Sequence, residues 1–372
     1  MILMLGFKGS GKTLMLAALY QCFKLGGEPG ITLIPDNASE RKLSEITKNI
    51  RDTGNPYLPE STPAGETTEW RFGVRVDWEN ARHLAFELAY LDYDGGHAEN
   101  LGVVNPEEAP NEQFLQALRD ASIVMGVLDG SKVLKLMTDG YSAPLVTEIE
   151  FILRCLVLTE QKSIHLVISK WDLLVDHRSG HHYTTKQVEA TLESYSPQLR
   201  GFLRNPRFKS LRIIPMAALG TGFVHPDPDD PDGKTMIKNS GAQWKPEYAE
   251  IPFFCAIPDI IKGDVELLTA HADGNRGRKA ARSRLSAVSW VTIAAAGIAG
   301  ITIATTTHGI TATVAFVNII ARIRDALKDG TREGLRDGTR EGNSEQYGPD
   351  AALAHVLRAC YENMDHYERL NL

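Results

Sequence analysis

The chain has 372 residues, 43% of them hydrophobic, and a formal net charge of -7. That composition excludes a disordered or fibrous chain, and the acidic balance speaks against a general nucleic-acid binder, which carries a basic excess. The length accommodates one large domain with extensions, or two domains.

Residues 1–265 alternate short apolar runs with longer helix-like stretches. The runs are Ile2–Leu5, Leu84–Leu91, Ile123–Leu128, His165–Ile168 and Leu211–Met216, each bounded by Gly, Asp or Ser. Runs of that length between helical segments predict an α/β fold, a mainly parallel sheet flanked by helices on both faces. Met1–Leu5 lacks a basic leader and runs straight into glycines, so it reads as a buried strand rather than a signal peptide. Trp70–Trp78 alternates apolar and polar residues, as a half-exposed edge strand would. The cysteines Cys22, Cys155, Cys255 and Cys360 are widely spaced with no CxxC pair. That pattern points to a reduced, cytosolic setting and away from structural zinc.

The first apolar run ends in Gly6-Phe-Lys-Gly-Ser-Gly11-Lys12-Thr13, which fits G-x-x-x-x-G-K-[ST] and precedes a helical stretch, Leu14–Phe23. Strand, glycine loop and helix together form a phosphate cradle. Glycines let the backbone N–H groups wrap an anion, and the helix N-terminus adds positive potential. Gly6, Lys8, Gly9, Ser10, Gly11, Lys12 and Thr13 are therefore candidate phosphate contacts. Lys12 has the reach for β- and γ-phosphates, and the Thr13 hydroxyl is a candidate Mg²⁺ ligand. The competing reading is a glycine-rich turn that matches by chance.

Asp92-Tyr-Asp-Gly95 closes the second apolar run. Asp92, at a strand end beside the phosphate loop, can hold Mg²⁺ through water, and the Gly95 N–H can meet a γ-phosphate. The plain alternative is a turn. Ser169-Lys170-Trp171-Asp172 follows the fourth run. A carboxylate there accepts two hydrogen bonds from guanine N1–H and its 2-amino group. Adenine would leave it unpaired, at a cost of about 1–3 kcal/mol. The Lys170 stem can lie over the base plane. Alone, S-K-x-D is also an ordinary strand end.

The loops Asp176–His182 and His225–Gly233 are polar insertions, and the second cannot be regular structure. His177, His181 and His182 lack the partners of a metal site, and Asp227–Asp232 lacks calcium-loop spacing. Beyond residue 265 the composition shifts. A basic cluster (Arg276, Arg278, Lys279, Arg282, Arg284) precedes residues 285–321, which hold no Asp, Glu, Lys or Arg before the cluster at Arg322. Residues 285–307 are long enough to cross a bilayer. The positive-inside rule then keeps the preceding domain in the cytosol. The alternatives are a buried helical hairpin and a self-association element, which the small residues Ala294–Gly297 and Gly300 also suit. A repeat, Asp329–Gly334 and Asp337–Gly342, reads as a solvated connector, and a helix is expected over 349–370 with Leu353, Val356, Leu357, Cys360 and Met364 on one face.

With these motifs in order, residues 1–265 resemble the Ras-like GTPases of the translation-factor-related class. Gly6–Thr13 matches their first motif, Asp92–Gly95 their D-x-x-G and Ser169–Asp172 their [NT]KxD. Ala217-Ala218-Leu219 looks like their fifth motif, whose backbone N–H meets the guanine carbonyl, and Asp129 sits where many members place a strand-end V-V-D. Within the family the chain looks most like the bacterial double-GTPase-type proteins, which have large inserts and often accompany membrane or conflict-system partners. The resemblance implies GTP/GDP and Mg²⁺ as ligands and a molecular switch as the function. It also implies an effector or activating protein, neither of which the residues identify.

Three departures matter. Ser169 replaces Asn or Thr, Ala217 replaces Ser, and Gly96 stands where members often place a water-orienting Gln. His97, one residue on, orients the attacking water or faces solvent. The resemblance further requires a switch threonine that completes Mg²⁺ coordination. The candidates are Thr62, Thr67 and Thr68, with Thr62 favoured. Lys8 supplies charge to the γ-phosphate in cis, or is simply solvated. The expected catalytic set is thus Lys12, His97 and Thr62, and the metal set Thr13, Thr62 and Asp92. The expected organisation is a GTPase domain over 1–265, a basic linker over 266–284 and a membrane-associated helical segment over 285–321. A polar linker over 322–346 and a C-terminal helix over 347–372 complete it. A hydrolysis-deficient GTP-binding scaffold and an ATP-using P-loop enzyme are the alternatives. Oligomeric state stays open, homo-oligomers included.

Overall fold

The computed structural model describes residues 1–24, 30–52, 58, 67–78, 81–93, 112–157, 163–176, 179–204, 210–229, 236–260, 356, 359–360 and 362–364. The sequence's apolar runs become sheet strands. They are β1 (Ile2–Leu5), β4 (Ala81–Tyr93), β5 (Ile123–Asp129), β6 (Ser163–Ser169) and β7 (Ser210–Pro215). With β2 (Ile31–Pro35) and β3 (Thr67–Trp78) they form one seven-stranded sheet in the order β2-β3-β4-β1-β5-β6-β7. β4, β1, β5, β6 and β7 run parallel, and β2 and β3 are antiparallel additions.

Every residue of β1, β5 and β6 is buried, because both faces of the sheet are covered. The strand period of two divides each run between two cores. Ile2 and Met4 enter one core, whereas Leu3 and Leu5 enter the other. The first core contains α1 (Lys12–Phe23) and a helix at 251–260, here α8. α3 (Glu112–Asp120), α4 (Gly130–Asp139), α5 (Ala143–Val157), α6 (Thr185–Tyr195) and α7 (Pro197–Leu203) contribute apolar side chains to the second core. α8 is buried at every position, and its Phe253 and Phe254 rings lie 5.0 and 5.6 Å from Phe23. A helix apolar at every position but Asp259 belongs inside the protein.

Two expectations need correction. Trp70–Trp78 lies inside β3, but β3 is not the edge. β2 pairs antiparallel outside it, from Ile31↔Val76 to Pro35↔Phe72. The alternation reports a solvated sheet face, with Trp70, Phe72, Val74 and Val76 buried and Glu69, Arg71, Arg75 and Asp77 exposed. It says nothing about lateral neighbours. β2 leads into α2 (Asn37–Arg51), whose N-cap Asp36 accepts from the Ser39 N–H. The second correction concerns the acidic loop. Val224–Pro226 is strand β8, paired with β9 (Met236–Lys238), so His225 and Pro226 belong to regular structure. Pro226 is tolerated because it ends its strand.

One polar cluster sits in the first core. The buried His165 Nε2 lies 2.9 Å from Asp259 Oδ2 of α8, and Arg212 Nε of β7 lies 3.6 Å from that oxygen. Burial lowers the His165 pKa, against the pull of Asp259. Helical residues Val356, Ala359, Cys360 and Met364 pack into the same core. Leu353 and Leu357, expected on that face, and residues 285–321 lie outside the described residues. Among the described residues no helix is long and apolar enough to cross a membrane.

Candidate functional site

Five parallel strands deliver their carboxyl ends to one edge of the sheet. In open α/β sheets that edge is where ligands bind. β1 ends in the phosphate loop, β4 at Asp92, β5 at Asp129, β6 at Ser169–Asp172 and β7 at Ala217–Leu219.

The loop after β1 takes its shape from its glycines. Gly9 and Gly11 have φ of 80° and 90°, the left-handed region that L side chains avoid. A Cβ on Gly6 would stand 2.7 Å from the Val127 carbonyl oxygen of β5, so the loop can leave the sheet there only without a side chain. α1 begins at Lys12, two residues earlier than the apolar pattern suggests, and no side chain caps it. The helix N-terminus turns its positive end toward the loop. The Ser10 hydroxyl is buried with no hydrogen-bond partner among the described residues. The buried Lys12 Nζ donates to the Gly6 carbonyl at 2.8 Å and the Phe7 carbonyl at 3.3 Å, which folds it back over the loop. Lys8 and Gly9 are exposed at the rim.

Asp92 is buried at the end of β4 and accepts a 2.9 Å hydrogen bond from the Thr13 hydroxyl. The two side chains expected around Mg²⁺ are thus in contact. These residues fit a nucleotide phosphate chain with its cation: an uncapped helix start, an orphaned hydroxyl, a lysine over the loop, and a hydroxyl–carboxylate pair. Among the described residues no group of three or more His, Cys, Asp and Glu side chains could hold a metal by itself. Mg²⁺ here would share its ligands with phosphate and water, as that ion commonly does.

The base motif packs directly on the phosphate loop. A Cβ on Gly11 would meet the Ser169 Cβ at 3.7 Å. The buried Ser169 hydroxyl donates to the Leu128 carbonyl at 3.1 Å, which ties β6 to β5. Lys170 adopts a left-handed backbone (φ 50°), and its Nζ reaches Asp129 Oδ2 at 2.8 Å. Asp129 also caps α4 by accepting from the Ser131 N–H and hydroxyl. Behind it, the buried Glu148 pairs with Lys132 and accepts from the Asp129 N–H at 3.4 Å. Lys132 stands 5.9 Å above the Phe7 ring of the phosphate loop. Asp172 lies in a single 3₁₀ turn, Trp171–Leu173. Burial pushes its carboxyl up to about 6, with repulsion from Glu247 adding to this and Lys170 opposing it. That is the environment of a carboxylate waiting for donors.

Ala217–Thr221 completes this end and is held by a segment no motif announced. Ala217 and Glu247 exchange backbone hydrogen bonds, both 2.9 Å. The Glu247 carboxylate accepts from the Thr221 N–H and hydroxyl at 3.0 and 3.1 Å. The Trp244 indole donates to the Ala218 carbonyl at 2.9 Å. Gly220 (φ 84°) lies so close that a Cβ would sit 1.9 Å from the Lys245 carbonyl oxygen. The sequence signal was negative: Ala217 has no hydroxyl with which to hold itself.

Of the switch candidates, Thr67 opens β3, and the buried Thr68 stands opposite Asp92 in the strand register. Thr62, Gly95, Gly96 and His97 lie outside the described residues, as does His177. The site thus brings together Lys12, Thr13, Asp92, Ser169, Lys170, Asp172 and Ala217–Leu219.

No family model matches the chain. No curated protein matches it. Among solved structures, a similar chain occurs in the signal recognition particle receptor SRb-GTP/SRX complex from Chaetomium thermophilum. The identity is 16%, the match covers 59% of this chain and 94% of that one, and the TM-score is 0.32.

Proposed function

We propose that the chain is a GTP-binding, GTP-hydrolysing molecular switch of the P-loop class, acting at a membrane surface. One observation carries the nucleotide reading. A phosphate loop, a Thr13–Asp92 pair and a half-buried acceptor carboxylate at Asp172 share one sheet edge, with Gly11 packed on Ser169. In this reading the loop backbone, Lys12 and α1 hold the phosphates. Thr13 and Asp92 hold Mg²⁺, which when bound withdraws charge from the phosphate oxygens. Asp172 accepts from the guanine N1–H and 2-amino groups, and the Lys170 stem lies against the base. The Ala218 N–H reaches the 6-oxygen. Thr62 and His97 are proposed for the switch and for the attacking water.

Isothermal titration with GTP and ATP tests the assignment. GTP is expected to bind at least tenfold more tightly, since one unpaired buried acceptor costs about 1–3 kcal/mol. Equal affinities remove guanine and favour an ATP-using enzyme. A hydrolysis-deficient scaffold that recruits a partner is favoured by Gly96, which offers no side chain to orient water. Single-turnover phosphate release above a Lys12→Ala control rules that scaffold out. The membrane assignment rests on the basic cluster and the uncharged stretch after Leu285. Flotation with anionic liposomes should carry the full chain upward, whereas protein that stays at the bottom makes residues 285–321 an internal packing element.

A further inference from the structure

Guanine recognition through the backbone needs a peptide plane held at a fixed angle, and a short loop cannot hold one alone. A trans peptide is planar, so the C=O of one residue and the N–H of the next point in opposite directions. Fixing a carbonyl therefore aims the following N–H. Two consecutive planes are fixed in this way. The Ala217 carbonyl accepts from the Glu247 N–H at 2.9 Å, which turns the Ala218 N–H away from residues 244–247. The Ala218 carbonyl accepts from the Trp244 indole at 2.9 Å, which does the same for the Leu219 N–H. The far end is clamped where Glu247 takes both Thr221 donors. Close packing of Gly220 on the Lys245 carbonyl removes the remaining slack.

We propose that Trp244 and Glu247 are positioning residues for base specificity: they set the Ala217–Thr221 backbone so that the Ala218 and Leu219 N–H groups meet a 6-oxo purine. The inference rests on the guanine reading above and says which residues enforce it. Two further observations support a device under tension rather than idle packing. Tyr248, next to Glu247, is a non-glycine residue with φ 61°, a left-handed conformation that persists only where its surroundings enforce it. The Arg51 guanidinium also lies over the Trp244 ring, 5.9 Å from its centroid.

The test uses the full chain and four probes: GTP, ITP, ATP and inorganic triphosphate. GTP and ITP carry the 6-oxygen, and the other two lack it. Trp244→Phe removes one neutral hydrogen bond and keeps an aromatic ring, smaller than the indole. It should weaken GTP and ITP by about tenfold and leave ATP and inorganic triphosphate within twofold. Glu247→Gln supplies a second readout. It removes a carboxylate that repels Asp172, whose other charged neighbour is Lys170. The acid limb of GTP affinity should therefore move to lower pH, a shift that loss of packing alone would not produce. Losses shared equally by all four probes, or no loss in a chain that prefers GTP, overturn the inference while the guanine reading stands. A wild-type chain that binds GTP and ATP equally overturns both. If Trp244→Phe does not fold, the Glu247→Gln losses across the four probes decide: a loss confined to GTP and ITP supports the inference and a loss shared by all four overturns it.

Discussion

The two ends of the proposed nucleotide site are built by different means. The phosphate end is local. Eight consecutive residues, Gly6–Thr13, supply the cradle, the lysine and the hydroxyl, and among the described residues Asp92 joins them from β4. The base end is assembled at long range. Ser169–Asp172, Ala217–Thr221 and Trp244–Glu247 are three separate stretches that meet only once the fold has formed. The difference shows where tolerance to change should lie. A local cradle depends on its own backbone angles, whereas an assembled pocket depends on every contact that holds its parts together.

The largest expected effect falls on the local end. Lys12→Ala removes the cation hydrogen-bonded back over the loop carbonyls. Charge-assisted hydrogen bonds contribute about 1.5–3 kcal/mol each, so losing two to phosphate should weaken GTP and inorganic triphosphate alike by 100-fold or more, about 3 kcal/mol. Titration with both ligands reads the result. A loss confined to GTP would mean that Lys12 does not act at the phosphates, and the division between the two ends would collapse.

Next comes Asp172→Asn, which should weaken GTP by about 10–30-fold and leave inorganic triphosphate unchanged, since one charged acceptor is lost. Its pH dependence sharpens the prediction. Burial raises the Asp172 carboxyl from the ordinary aspartate range to about 6. Guanine donors need the ionised form, so GTP affinity should fall as pH drops through about 6. Stability of the free protein should run the other way. A carboxyl raised on folding binds extra protons in the folded state. Its favourable contribution is present at low pH and lost as pH rises through about 6. At pH 7 the Asn variant should therefore melt higher than the parent while binding guanine worse. A variant that melts lower at pH 7 would place Asp172 in a structural hydrogen-bond network instead.

How much of this was readable beforehand follows the same division. The phosphate loop was legible because its chemistry is consecutive, and only the helix start at Lys12 differed from the pattern. The strands β1, β5 and β6 were legible because buried parallel strands are short, continuous apolar runs, and β4 and β7 because an apolar run marks the middle of each. β2 was not, since Ile31–Pro35 ends in proline and its pairing with β3 is a tertiary fact. The same holds for Trp244 and Glu247. Nothing near them marks a site, and their role exists only across the gap to Ala218 and Thr221. Sequence showed that Ala217 lacks a hydroxyl, and the structure shows what stands in for it. His165 lay inside an apolar run, yet it is a buried partner of Asp259 in α8. Periodicity reports burial and not hydrogen bonding.

The smallest effect tests whether the phosphate end needs anything beyond its cradle. Lys8 is exposed at the rim of the loop, where water and salt screen its charge. Such a side chain contributes about 0–1 kcal/mol to binding, so Lys8→Ala should weaken GTP by about two- to threefold in physiological salt and by more at low salt. Single-turnover hydrolysis should stay within about twofold of the parent, because a solvated charge stabilises bound and reacting phosphate to the same degree. The alternative outcome is distinct. A drop of about 100-fold or more in the hydrolysis step, with affinity barely changed, would mean that Lys8 meets charge that develops only during phosphoryl transfer. The phosphate end would then hold a catalytic cation of its own, and the long-range assembly at the base end would serve selection alone.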